Sequence, residues 1–342
     1  MALALGELGH ELRLFGKFDR SGRWADYDLT GAGGSSRRVQ TARFVMSNLA
    51  AVSSQRPDHV ICTHVNFGPA ALVAKRVFGS SYTLVAHGID VHQRLPRRTV
   101  AALRAADRII AVSGWTRARV LELGDIEPDN VAVIPNAIDE SRFTVGPKPE
   151  LLRQKYALRD DEKVILTVAR LDDRESYKGY DRIIEALPAI KRNCGPVRFL
   201  IAGTGSDLDR VAALARDRGV DSSVTFAGFV PPEDLVDHYR VADVFAMPST
   251  GEGFGIVFVE SMACGTPVIG GNADGSVDAL DGGRLGRLID PTNVDAIASA
   301  VGDILCRRGP ALWFDREALH DAVVAKFGRA AFRDRLSEIL LP

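Results

Sequence analysis

Two glutamates, Glu252 and Glu260, stand eight positions apart in the segment Met247–Gly271, which reads MPSTGEGFGIVFVESMACGTPVIGG. Gly251, Gly253 and Gly255 surround the first of them and let the backbone approach a ligand closely with its N–H groups turned outward. The apolar run Val244–Met247 comes before and another apolar run starts near Ile256, so the pattern is a strand, a glycine turn and a helix. The first turn of a helix carries unpaired N–H groups and a partial positive charge, which together make an anion site. Glu260 falls one turn inside that helix, so the two carboxylates would flank the anion about 10 Å apart by helix rise. A carboxylate accepts two hydrogen bonds at once and suits vicinal hydroxyls. Any helix can space two glutamates this way; the glycines and the preceding strand make the segment specific.

A second segment, Leu166–Tyr180 (LTVARLDDRESYKGY), puts Arg170 just after a strand and Lys178 just before a helix. Two cations converging from such positions would clamp a diphosphate and neutralise charge growing on a leaving group. In isolation they would be a surface pair of little energetic consequence. Gly203-Thr204-Gly205 follows the run Val197–Ala202 and lacks the third glycine of a dinucleotide fingerprint, so it reads as a tight turn lining the cleft. Gly228-Phe229-Val230-Pro231 also follows a strand, where Gly and Pro serve a turn for local reasons. His87 closes the run Tyr82–Ala86, and His64 with Asn66 follow His59–Thr63.

These residues need a scaffold that ends strands beside helix starts. Strand runs are expected at Glu11–Phe15, His59–Thr63, Tyr82–Ala86, Arg108–Val112 and Val131–Ile134. After a break they resume at Lys163–Val168, Val197–Ala202, Val224–Ala227, Val244–Met247 and Pro267–Gly270. Helical patterns such as Gly179–Ile190 and Asp207–Asp217 separate most of them, and this alternation means parallel sheets covered on both faces. The break is Val145-Gly146-Pro147-Lys148-Pro149, which continues neither helix nor ladder. The expected fold is therefore α/β: two Rossmann-like, doubly wound domains facing a cleft, with ligands beyond the carboxyl ends of the strands. Residues 1–143 form the first, joined by a final helix at about 326–342, and residues 144–325 form the second. Met1–Gly9 reads as the end of a helix leading straight into a strand, so the first strand of the first domain is expected to be missing; Gly31–Gly34 lies too late to replace its turn.

Composition narrows the function. The chain has 342 residues, 43 Lys and Arg against 44 Asp and Glu, and 46% apolar residues, which excludes a disordered or disulfide-stapled protein and speaks against a nucleic-acid binder. Residues 1–140 hold 17 basic and 14 acidic side chains, a balance that fits contact with an anionic membrane face and equally a solvated surface. Cys62, Cys194, Cys264 and Cys306 stand far apart with no His at ligand spacing, so they are expected as buried residues of a reducing compartment, with no metal site. No run of 18 apolar residues occurs, so a cytoplasmic protein is expected, at most peripheral on the inner face of the membrane.

With its glycines, preceding strand and the following ACGTPVI, the Glu252-x7-Glu260 segment resembles the signature of retaining glycosyltransferases of family 4, and the likeness runs from about His59 onward. The resemblance implies the GT-B arrangement and a nucleoside-diphosphate sugar as donor, without a further cofactor. It implies that Arg170 and Lys178 hold the diphosphate, and that Gly203, Gly253, Phe254, Gly255 and Ile256 approach the donor. Phe229 and Val230 would lie against the base, Glu252 would hold the sugar hydroxyls, and Glu260 the ribose. His87 matches the family's histidine near the transferred sugar, where an imidazole can donate to a hydroxyl; His64, Asn66 and Asn136 fall on the acceptor side. Asn136 stands in VIPNAID, where Ala137 replaces the family's usual glycine.

The expected activity is transfer of a hexosyl group to a glycan or lipid-linked acceptor, with retention and without a metal. Two other readings stay open: an epimerase-like enzyme on the same fold, and a donor-binding protein without turnover.

Overall fold

The computed structural model describes residues 1–34 and 36–340. The chain divides into two compact units at Ile134–Pro135, with residues from Phe332 onward returning to the first unit. The sequence had placed these divisions at 143–144 and 325–326.

The first unit holds two sheets. Strands β1 (Leu14–Gly16), β2 (Gly22–Trp24) and β3 (Tyr27–Gly31) form one, in the order β1-β3-β2. Strands β4 (His59–Cys62), β5 (Ser81–Ala86), β6 (Arg108–Ala111) and β7 (Val131–Val133) form the other, in sequence order and all parallel. The expectation of parallel sheets alone fails at β2, which runs antiparallel to β3. All three residues of β2 are exposed, so no apolar alternation marks it, and its turn places Ala25 rather than glycine at φ 51°. Tyr82, Leu84, Ile109 and Leu103 build the core of the four-stranded sheet. Between the free edges of β1 and β4 runs a largely apolar groove of about 390 Å³, lined among others by Leu5, Leu14, Phe44, Val60 and Ala71. The last helix, Arg329–Leu340, buries Leu336, and its Arg333 lies 3.5 Å from Glu7. The end of the expected helix, residues 341 and 342, lies outside the described residues, as does the side chain of Leu340.

The second unit holds one parallel sheet of six strands. These are β8 (Lys163–Val168), β9 (Val197–Ala202), β10 (Val224–Gly228), β11 (Val244–Met247), β12 (Val268–Gly271) and β13 (Arg287–Ile289). Their spatial order is β10-β9-β8-β11-β12-β13. The chain winds outward from β8 through β9 to β10, then returns to lay β11 on the other side of β8. That reversal is the switch point of a doubly wound sheet, where the loops after β8 and β11 diverge and leave room for a ligand. β8 shows buried residues from Val164 to Leu166 and Thr167, so its sequence is continuously apolar rather than alternating. The helix Tyr180–Cys194 buries Tyr180, Ile183, Ile184, Leu187 and Ile190 at helical spacing against the sheet. β13 escaped the sequence reading because only three residues pair and the first of them is the exposed Arg287.

Cys62 and Cys264 are buried as expected, but Cys194 is half-buried and Cys306 exposed. Cys306 caps the helix Val294–Leu305, at the point where the chain leaves the core.

Candidate functional site

In the second unit the sequence-selected residues gather at the carboxyl ends of adjacent strands. Arg170 follows β8, Gly203 follows β9, Phe229 follows β10 and Glu252 follows β11. Two backbone links knit the first three loops together: Gly203 N–H donates to the Gly228 carbonyl at 2.8 Å, and Leu171 N–H to the Thr204 carbonyl at 3.0 Å. Gly203 adopts φ 145°, and a Cβ there would stand 1.8 Å from the Ala169 carbonyl oxygen. Only glycine lets this turn sit against the strand end that carries Arg170. Phe229 is 71% exposed beyond β10, an aromatic face open to solvent.

The loop after β8 is the 3-10 turn Asp173–Lys178, started by Asp172, whose carboxylate accepts from the Arg174 N–H. Thr250 N–H donates to the Tyr177 carbonyl at 2.9 Å and so draws the glycine turn after β11 to this loop. As a result Lys178 Nζ lies 3.1 Å from Glu252 Oε2 and 3.7 Å from Glu175 Oε2. The other oxygen of Glu175 is 2.9 Å from the Arg170 guanidinium. Arg170, Glu175, Lys178 and Glu252 thus form one chain of alternating charge. Glu252, which holds Lys178, stands four positions before the helix Ile256–Ala263, whose cap residue Gly255 has φ 82° and offers no side-chain cap. The first turn of that helix therefore keeps its anion-attracting amides.

Glu252 is fixed through its backbone. Its N–H donates to Asp274 Oδ2 at 2.7 Å, and its carbonyl accepts from Gly275 N–H at 2.8 Å. Asp274 is buried, and also accepts from the Ser249 hydroxyl and the Ser276 N–H. Glu260 does not stand free inside the helix. Its Oε2 accepts the Tyr239 phenol at 2.6 Å, and burial pushes its carboxyl above the ordinary range while that hydrogen bond and Arg142 pull the other way.

In the first unit His87 follows β5, with its N–H donating to Asp90 Oδ1 at 2.8 Å. Its ring Nε2 lies 2.8 Å from the Thr63 carbonyl, and since a carbonyl only accepts, Nε2 carries the proton. Nε2 is thus engaged within the first unit, and the expected donation to a sugar hydroxyl would require it to leave the Thr63 carbonyl. His64 Nδ1 accepts the Asn66 N–H and lies 3.9 Å from Asp90 Oδ2, an oxygen buried without a hydrogen-bond partner. His64, Asn66 and His87 therefore share one corner of this unit. Asn136 is half-buried at the start of the second unit. Among the described residues no three His, Cys, Asp or Glu side chains converge as a metal set would.

Residues 149–312 match the family described as "Glycosyl transferases group 1", and residues 1–142 the one described as "Glycosyltransferase Family 4". A "GDP-mannose-dependent alpha-(1-6)-phosphatidylinositol monomannoside mannosyltransferase" of Mycolicibacterium smegmatis is 32% identical over 338 residues, covering 90% of this chain and 85% of that protein. The chain belongs to glycosyltransferase family 4. A "D-inositol 3-phosphate glycosyltransferase" of Mycobacteroides abscessus is 29% identical over 322 residues, covering 85% of this chain and 71% of that one. A glycosyltransferase from Rickettsia africae superposes with a TM-score of 0.80 at 20% identity, over 98% of this chain and 92% of that one, which shows the fold to be GT-B.

Three residues that contact the sequence-selected ones escaped the sequence. Glu175 looked like one more charge in a polar loop, though it joins both cations. Asp274 lies beyond the glycine-rich segment, and nothing local shows that it returns to Glu252. Tyr239 sits in the helix Leu235–Val241, a strand away from Glu260 in sequence. Only tertiary packing makes these contacts visible.

Proposed function

We propose that this glycosyltransferase moves a mannosyl group from GDP-mannose to a hydroxyl of an inositol-containing phospholipid or glycolipid, with retention at the anomeric carbon and without a metal or other cofactor. The observation that supports the reading is the charge chain Arg170–Glu175–Lys178–Glu252 at the ends of β8 and β11, with Glu252 just before the helix Ile256–Ala263. The choice of donor and acceptor follows the two mycobacterial relatives, one named for GDP-mannose and a phosphatidylinositol monomannoside and the other for D-inositol 3-phosphate.

Breaking the anomeric C–O bond leaves positive charge on the sugar and negative charge on the diphosphate. Arg170, Lys178 and the amides at Gly255–Ile256 stabilise the anion at the moment it forms. Glu252 holds the sugar hydroxyls and favours the cationic carbon, and Glu260 takes a ribose hydroxyl with its remaining oxygen. Phe229 covers the base. On the acceptor side, His64, Asn66 and His87 offer polar contacts to a hydroxylated molecule. The acceptor oxygen attacks on the face the diphosphate leaves, and its proton passes to a phosphate oxygen, so no covalent sugar–protein bond is required.

A lipid acceptor calls for access to a membrane face. No helix among the described residues is long and apolar enough to cross a membrane. The first unit does carry Phe18, 61% exposed, Trp24, 44%, and Met46, 66%, and Met46 shares a surface depression with Lys17 and Arg38. Exposed aromatic and apolar groups beside basic ones suit the boundary of an anionic bilayer.

The test is incubation with GDP-mannose and vesicles containing phosphatidylinositol or its mannosides, followed by NMR of the product. An α-mannosylated lipid is expected. Release of an isomerised sugar with no acceptor-linked product would replace this reading by an epimerase, and binding without any turnover would replace it by a donor-binding protein.

A further inference from the structure

Both cations of the diphosphate site are already neutralised within the second unit. Glu175 reaches Arg170 with one oxygen and Lys178 with the other, at 2.9 and 3.7 Å. Lys178 and Glu175 are each only 13% exposed, so solvent screens their attraction less than at an open surface. Glu175 also leaves the helical conformation of its turn, with φ −111° and ψ 18°, between neighbours that keep it. Glu252 balances Lys178 a second time, so the four side chains together carry no net charge. An anion placed on Arg170 and Lys178 meets the Glu175 carboxylate in the same position.

We propose that Glu175 is a resident counter-anion, standing where a phosphoryl group of the donor will stand and leaving the two cations when the diphosphate arrives. This rests on the diphosphate reading above and adds to it a determinant of selectivity. A single carboxylate spans both cations with one negative charge. A diphosphate spans them with two or three, and so displaces it; a monophosphate, reaching one cation, competes poorly. Glu175 thereby makes the site selective for two linked phosphoryl groups over one, and keeps Arg170 and Lys178 ordered while no donor is bound. Like-charge repulsion between a retained carboxylate and the ligand is the physical origin of the selection.

The experiment is calorimetric titration of GDP, UDP and ADP, and of the corresponding monophosphates, into the wild-type chain and Glu175→Gln. Glutamine keeps the shape and removes the charge. Diphosphate binding is expected to tighten at least threefold and monophosphate binding at least tenfold, so that the preference for the diphosphate narrows. Equal or weaker binding of both ligands by a folded Glu175→Gln chain, with an unchanged preference, overturns the proposal and makes Glu175 a tether for the loop. Glu175→Ala separates repulsion from misfolding, since loss of charge alone predicts the same direction. The double variant Arg170→Ala/Lys178→Ala separates the two layers of argument. If it loses diphosphate binding while Glu175→Gln gains none, only the counter-anion proposal fails. If it binds as the wild type does, or if no diphosphate binds the wild type at all, the diphosphate reading falls and this proposal with it.

Discussion

Lys178 Nζ and Glu252 Oε2 lie 3.1 Å apart although 74 positions separate them in the chain. The pair joins the loop after β8 to the loop after β11, the two loops that part at the switch point of the sheet. A cation able to meet a leaving diphosphate is thereby held against a carboxylate able to meet a sugar. Lys178→Ala and Glu252→Gln are each expected to lower turnover at least tenfold, or about 1.4 kcal/mol of barrier. Steady-state rates of glycosyl transfer check this, and unchanged rates in both variants would dispose of the assignment.

Asp274 should matter for stability as much as for chemistry. It is buried, and accepts from the Glu252 N–H, the Ser249 hydroxyl and the Ser276 N–H. Asp274→Ala leaves these three donors without their acceptor, a cost of at least about 3 kcal/mol when each lost bond to a charged group is worth about 1.5–3. Urea unfolding of the purified variant measures it. A midpoint equal to that of the wild type would mean that the glycine turn is held by other bonds.

Glu260 carries the pH signature. Its carboxyl is pushed up from an ordinary 4.5, so the folded chain binds its proton more readily than the unfolded chain does. The stability tied to that proton is complete below pH 4.5 and is lost as pH rises through the folded-state value. Glu260→Gln is therefore expected to be more stable than the wild type at pH 7, with the difference vanishing toward pH 4.5. Its Oε1 still accepts the Tyr239 phenol. Thermal unfolding across pH 4–8 without ligand tests this; a variant less stable at pH 7 contradicts it. Donor binding should weaken in the same variant, because a neutral amide holds a ribose hydroxyl less strongly than a carboxylate.

Much of this was legible before any coordinates, and the reason is local. In the second unit the strands are continuous apolar runs, and the expected bounds of β8, β9 and β11 coincide with the observed ones. Glu252, Arg170 and Lys178 stand at strand ends and helix starts, positions that short-range sequence rules identify. The first unit was less readable. β2 has no buried face, and β3 alternates over only five residues, none of them buried, beyond a turn lacking glycine. The Thr63 carbonyl that engages the His87 ring lies 24 positions away, beyond the reach of a local reading. Glu175, Asp274 and Tyr239 share that limit: each acts on a residue that only the folded sheet brings near.

Membrane association, if it follows the exposed groups of the first unit, has a surface to test. Replacing Trp24 and Met46 by Ser should reduce co-sedimentation with vesicles containing phosphatidylglycerol, and raising the salt concentration should do the same for the wild type. Binding that is indifferent to both changes would place the contact elsewhere.

The central claim is that the second unit grips a diphosphate between Arg170, Lys178 and the start of the helix Ile256–Ala263. Titration of GDP into the wild-type chain and into Arg170→Ala/Lys178→Ala, with thermal unfolding to confirm that both are folded, measures it directly. The account predicts at least a hundredfold weaker binding in the double variant. A dissociation constant the same in both proteins would contradict it.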